Sequence, residues 1–358
     1  SLPNKKQLSS NRRSSVSAGE APLTGAPIVH VTRGPLVESV HEVIACAVDA
    51  RGKTILALGD IDAPIYLRSS AKPFIAAAAV RAGVVDRFGL EPREVAVMAA
   101  SHSGEPFHIE AVRSILHKIG MSESALQCGD QEPYSPQAAS DLKRDGIRFS
   151  AVHNNCSGKH AGILALCRII GADPATYLQI ENPAEQLILE LCARMTGENP
   201  ADLPLGIDGC GIPVFATPAR NAALAFMRFA TLEEIDPHDA RALLVVREAM
   251  VAHPQYVSGT GQFDTVLMQT LGDTIAAKGG AEGVHCTAII SGGLGLALKI
   301  VDGSARARAP AVLACLAELG AVDRTAMTKL DEFAHPIVYN RATQPVGEVI
   351  IVGVSQSP

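Results

Sequence analysis

The chain has 358 residues, 47% of them hydrophobic and 19% charged, with a formal net charge of −6. That is ample for a sizeable core and fits one large domain or two ordinary ones. There is no basic stripe for nucleic acid, no polybasic segment for anionic lipid and no apolar run long enough to span a bilayer.

Ser1 to about Gly25 is rich in Ser, Lys, Arg and Gly and lacks the apolar core of a secretory signal. It is expected to be a disordered arm, leaving 26–358 as a single catalytic unit. Val29–Val31, Ser39–Val48 and Lys53–Ala57 read as strands, the last two joined by the turn Asp49-Ala50-Arg51-Gly52. A strand-like run then gives way to Arg68-Ser69-Ser70-Ala71-Lys72-Pro73-Phe74 and an apolar helix, Phe74 to Val85. Val95–Ala100 is a short apolar run closed by Ser101-His102-Ser103-Gly104, so Ser101 is expected at a strand-to-helix junction. Glu105–Ile119 has helical spacing, and Cys128–Pro136 is a loop.

Val152 leads through His153 and Asn154 into Asn155-Cys156-Ser157-Gly158-Lys159-His160 and an apolar helix to about Ile170. Asn182-Pro183-Ala184-Glu185 is a helix-opening signature. Leu205–Pro213 has no helical period and reads as loop. Helices follow at about Pro218–Phe229, Asp239–Ala252 and Asp264–Leu271, then Lys278-Gly279-Gly280, and strands at Cys286–Ile290 and Leu294–Val301. Helices near Pro310–Leu319 and Thr328–Phe333 precede a terminal strand, Val346–Val354. Strands cluster at both ends and helices fill the middle. The expected fold class is α+β: an antiparallel sheet from 26–60 and 285–358, packed on a helical block of about 70–280, with a cleft at the junction.

Eight cysteines in a chain this long are not a disulfide scaffold, and Cys46, Cys167, Cys192 and Cys315 sit in apolar patterns as buried thiols. With no export signal, a reducing cytoplasm is the expected compartment.

Four motifs can carry chemistry. Ser69 and Lys72 lie three residues apart, which at a helix start puts an amine beside a hydroxyl on one face. A serine needs such a base, and a lysine serves once burial or a neighbouring cation lowers its pKa. Ser101-His102-Ser103 reads either as a cleft-facing segment or as the cap of the helix that follows. Lys278-Gly279-Gly280 reads either as a second catalytic lysine with room for substrate or as a flexible turn. Cys156, Lys159 and His160, with Asp208-Gly209-Cys210 from a distant loop, form the fourth group. Two thiolates and a nitrogen would suit zinc, with His153 and His160 the usual nitrogen donors. The alternatives are two reduced core thiols or a Cys156–His160 hydrolase.

Taken together, these segments resemble the rhizobial-type, or class 3, L-asparaginases. The matching stretches are 68–73, 100–103, 155–160, 208–210 and 259–268 leading to Lys278, within about Gly34 to Val354. The resemblance implies a fold like the serine β-lactamases, penicillin-binding proteins and serine glutaminases. It implies hydrolysis of L-asparagine to L-aspartate and ammonia by two serine–lysine pairs, Ser69/Lys72 and Ser101/Lys278. It further implies an accessory zinc held by Cys156, Lys159 and Cys210, and a homodimer. Arg68, Asp208 and His160 are the candidates to bind the amino-acid head of the substrate. Asp264 stands where a relative in that family carries cysteine. A related glutaminase or β-lactamase-like serine hydrolase, and a zinc-hydroxide hydrolase, are the alternative functions.

Overall fold

The structure is a computed structural model that describes residues 22–354. The arm expected over 1–25 falls, as far as residue 21, outside the described residues. Its strands are β1 (Ala26–Arg33), β2 (Leu36–Val48), β3 (Thr54–Leu58), β4 (Pro64–Tyr66), β5 (Leu205–Ile207), β6 (Pro213–Pro218), β7 (Ile275–Gly279), β8 (Val284–Ile289), β9 (Leu294–Ile300), β10 (Ile337–Tyr339) and β11 (Pro345–Ile351). The main sheet has eight strands in the order β10-β11-β1-β2-β9-β8-β7, with β3 on β2. Its ladders are antiparallel, including β1 with β11 and β2 with β9, so the two ends of the chain build one sheet. The α+β architecture expected from the strand distribution is the one observed.

Strand β2 shows why this sheet lies at the centre. Val43 to Val48 are all buried, on both faces, and their run is almost uninterruptedly apolar. The helix Ala219–Thr231 covers one face, and the helix Ala305–Glu318 packs on β1, β9 and β11. At Gly295 in β9, an added Cβ would lie 2.0 Å from the Ala223 carbonyl oxygen, so the first of these helices touches the sheet backbone directly. The helices Lys72–Arg81, Pro92–Met98, Ser157–Ile170, Pro183–Thr196 and Pro237–Ala252 form the block beside it. There Gly158 does the same job. A Cβ would come within 2.1 Å of the Val97 carbonyl oxygen, so glycine lets the start of the Ser157 helix close on the Pro92 helix.

Several expectations are corrected. Val95–Ala100 is not a strand-like run. It ends a helix begun at Pro92, where Glu91 and Glu94 form a reciprocal cap. The valines suggested a strand, but packing against the Ser157 and Pro237 helices decides. Ser101 therefore follows a helix rather than a strand. The expected loop Leu205–Pro213 instead contains β5 and the first residue of β6, and β6 pairs with both β5 and β4 in a small second sheet. Lys278 lies on β7, an edge strand of the main sheet, within a stretch expected to be helical or turn. A helix at Pro136–Arg144 and strand β10 were not foreseen.

Candidate active site

The site is built where three elements meet. The strand β4 ends at Tyr66, and Arg68–Ala71 make a tight helical turn that runs into the helix at Lys72, with Pro73 as an early residue. Arg68 holds φ at 49°, in the left-handed region a side chain rarely adopts, immediately before Ser69. The second element is the segment after the Pro92 helix. The Ser101 N–H donates to the Val257 carbonyl at 2.9 Å and the His102 N–H to the Asn155 carbonyl at 3.1 Å, so Ser101 is held from both sides. The third is β7, where Lys278 faces Cys286 across the ladder with β8.

These elements bring both lysines to one hydroxyl. Lys72 Nζ donates to Ser101 Oγ at 2.9 Å, to the Ala100 carbonyl at 2.5 Å and to Cys156 Sγ at 3.2 Å. Lys278 Nζ donates to Ser101 Oγ at 3.0 Å and to the Gly279 carbonyl at 2.6 Å. The expected pairs were Ser69/Lys72 and Ser101/Lys278. The structure instead centres both amines on Ser101, and among the described residues no hydrogen bond joins Ser69 Oγ to Lys72. Ser69, Ser101 and Lys278 share a cavity of about 490 Å³, which Asn155, Gln262 and Arg308 also line.

Burial sets the state of the amines. It pulls Lys72 below the ordinary lysine value, the nearby Cys156 opposes, and Lys159 adds to the fall. Burial also pulls Lys278 down, to about 7, with Asp264 opposing and Lys72 and Arg308 assisting. Asp264 accepts from the Gly279 N–H at 2.7 Å and meets His285 Nε2 at 3.1 Å. Burial alone would raise its pKa. The His285 hydrogen bond and charge, with Lys278 and Arg308 near, hold it well below the usual carboxylate range.

The second cluster lies behind the first. Lys159 Nζ donates to Cys210 Sγ at 2.9 Å and stands 3.8 Å from Asp208 Oδ2. Cys156 is pulled down toward the thiolate, because its interaction with the Cys210 thiol and the flanking Lys159 and Lys72 outweigh its burial. Two thiols and an amine thus converge as a set of soft and nitrogen donors suited to a zinc-like ion. Lys159 would join it only after giving up a proton: as it stands, Cys156, Cys210 and Asp208 outweigh its burial and push it above the ordinary lysine value, so its ammonium occupies the place such an ion would take. Among the described residues, no group of three or more His, Cys, Asp and Glu side chains could hold a metal, so the lysine is essential to any such set. His153 does not join it, since its Nδ1 accepts from the Ser150 N–H. Cys156 and His160 are not brought together as a dyad: Cys156 meets Lys72, and His160 Nδ1 meets Tyr177 Oη at 2.7 Å.

The three residues expected at the substrate head group lie off the cavity lining. Arg68 Nε donates to Asp208 Oδ1 at 2.8 Å, so these two bind each other, and His160 is fully buried. Asp264 stood out in the sequence only as a departure. Asn155 sat unremarked inside the Asn-Cys-Ser-Gly-Lys-His segment. His285 and Arg308 carried no local signal, being one residue in an apolar strand and one of several arginines in a helix.

The family model for L-asparaginase II matches residues 29–351. No curated protein matches the chain. Among solved structures, that of Mglu in its native form in the presence of 4.3M NaCl is 17% identical with a TM-score of 0.35, over 78% of this chain and 61% of that one. Mglu in its tris and glutamate form is 18% identical with a TM-score of 0.33, over 82% of this chain and 63% of that one. The chain therefore spans less than two thirds of the length of these two proteins.

Proposed function

Because the chain belongs to the L-asparaginase II family and is on that ground an amidohydrolase, we propose that it hydrolyses L-asparagine to L-aspartate and ammonia through a serine acyl-enzyme. The observation that supports this most is the pair of buried amines, Lys72 and Lys278, at 2.9 and 3.0 Å from Ser101 Oγ in the cavity that Ser69 also lines.

Ser69 Oγ attacks the side-chain carbonyl carbon of asparagine. Its proton passes to Lys72, one turn along the same helix start, whose pKa burial lowers. Ser101, in contact with both amines, relays a proton to the amide nitrogen, which leaves as ammonia. Lys72 restores that proton, and Lys278, with its pKa near 7, is the base that takes the proton of the attacking water through Ser101 at neutral pH. Water then attacks the β-aspartyl ester, gives up a proton to the same relay, and Ser69 recovers its own. The N–H of Ser69, one of the unspent donors of a helix start, is a candidate for the oxyanion, an effect worth roughly 10²–10³ in rate. Cys156, Cys210 and, once deprotonated, Lys159 would hold a zinc-like ion, which would supply fixed positive charge near the cavity.

A second reading makes Ser101 the nucleophile, because both amines touch its hydroxyl rather than that of Ser69. Ammonia release from L-asparagine and L-glutamine by wild type, Ser69→Ala and Ser101→Ala, with and without chelator, separates these readings. The proposal expects asparagine turnover to fall on the order of 10⁴ or more in Ser69→Ala, and an aspartyl ester on Ser69 to be trapped in Ser101→Ala. An ester on Ser101 in the Ser69→Ala protein would transfer the role. Full activity in Ser69→Ala with loss under chelator would replace both readings by metal-assisted hydrolysis.

A further inference from the structure

Arg308 enters the cavity from the first turn of the helix Ala305–Glu318. Its Nη1 donates to the Gly280 carbonyl at 2.9 Å. The guanidinium packs against Gly279, where an added Cβ would stand 3.4 Å from Arg308 Cζ. Its Nε is buried and has no hydrogen-bond partner. Among the described residues no carboxylate lies within ion-pair distance of it, although Arg81, Arg194 and Arg68 elsewhere all have one. A buried guanidinium N–H without a partner is costly unless a ligand completes it. Its planar fork matches a carboxylate better than any other side chain does.

Lys278 on the lining, and Lys72 and Arg68 off it, do not offer this. Lys72 and Lys278 are occupied by Ser101 and by backbone carbonyls. Arg68 is paired with Asp208. The remaining charged group on the lining is Asp264, an anion bound to Gly279 and His285. Ala305, also on the lining, begins the helix, so unspent N–H groups of its first turn add positive potential on the same side.

We propose that Arg308 binds the α-carboxylate of the substrate and so restricts this site to amides of free α-amino acids. This rests on the amide-hydrolysis reading above and assigns its substrate class. The carboxylate would take the partnerless Nε–H and a neighbouring guanidinium N–H, leaving the Nη1 bond to Gly280 intact. Its removal would leave the amide chemistry at Ser69 and Ser101 in place but lose the discrimination between asparagine and 3-aminopropanamide, which is asparagine without its carboxylate.

The test compares wild type with Arg308→Leu on these two amides, each protein at the alkaline plateau of its own pH profile. The ratio of kcat/KM for asparagine to that for 3-aminopropanamide should fall about ten- to a hundredfold, the size of a charge-assisted hydrogen bond, mainly through KM for asparagine. The acid limb of the asparagine profile should move to higher pH. Lys278 would lose one of its two cationic neighbours, Lys72 remaining, while still facing Asp264 and Cys156. Equal losses on both amides, or an unchanged asparagine KM, would overturn the proposal. If Arg308→Leu does not fold, Arg308→Lys carries the test. A point charge replaces the fork, so KM should rise while kcat is largely kept, and a wild-type KM overturns the assignment. If wild type releases no ammonia from asparagine, the amide reading fails by itself. L-aspartate binding by calorimetry then decides: binding to wild type that is lost in the variant upholds a carboxylate site at Arg308, and equal or absent binding removes it.

Discussion

Two lysines, Lys278 and Lys159, are each about 1% exposed, yet their surroundings shift their pKa values in opposite directions. Lys278 is pulled down to about 7 because burial acts together with the cations Lys72 and Arg308, against one carboxylate, Asp264. Lys159 suffers the same burial but is pushed above its ordinary value, because Cys156, Cys210 and Asp208 surround it with negative charge. Burial alone does not make a base. The sign of the neighbours does, and it sets the lysine beside Ser101 apart from the lysine among the cysteines.

The sharpest way to break this division is to delete each amine. Lys278→Met should lower kcat for asparagine by on the order of 10²–10⁴, the range of a lost general acid–base group. Substitutions at the second centre, Cys156→Ser or Cys210→Ser, should abolish retention of a zinc-like ion but lower turnover by no more than about 10–100-fold. Metal content and ammonia release measured on the same preparations check this. Equal losses at both centres would mean that they are one catalytic unit.

The pH profile sharpens the same contrast. With Lys278 acting from its neutral form, kcat should rise with pH through about 7. Asp264 raises the pKa of Lys278, so Asp264→Asn should move that limb to lower pH, the opposite of Arg308→Leu. A limb that stays in place would mean that another group sets it. The sign for stability follows from linkage. Lys278 binds its proton less readily folded than unfolded, so its burial costs most below pH 7, and that cost fades as pH rises toward the ordinary lysine value. The smallest effect on chemistry should come from Gly158→Ala. It forces the Ser157 helix off the Val97 backbone and should cost about 1–3 kcal/mol of stability, read by denaturant melts. Because that helix carries Lys159, metal retention should suffer before turnover does.

Much of the fold was legible because it is written locally. The hairpin of β2 and β3, the Asn182 cap and the alanine-rich helix after Lys72 each depend on residues a few positions apart. The strands at both ends of the chain pointed to one sheet because such edges have to be paired. The segment Ile275–Gly279 was missed as a strand because five residues without alternation, buried on both sides, carry no period. The valines of the Pro92 helix misled because propensity yields to packing.

The candidate site divides in the same way. By itself, the sequence determined which side chains could react: Ser69 and Lys72 at one helix start, Cys156 and Lys159 one turn apart, and a lysine beside two glycines. Only the tertiary structure decided what each of them touches. Lys278 reaches Ser101 across 177 residues, Arg68 and Asp208 find each other across 140, and Arg308, on the cavity lining, is left with a buried N–H that has no partner. Spacing along a helix fixes neighbours within a turn. Burial, opposing charges and hydrogen bonds between distant strands and loops exist only once the chain has closed on itself, and these are what turn a lysine into either a base or a cation.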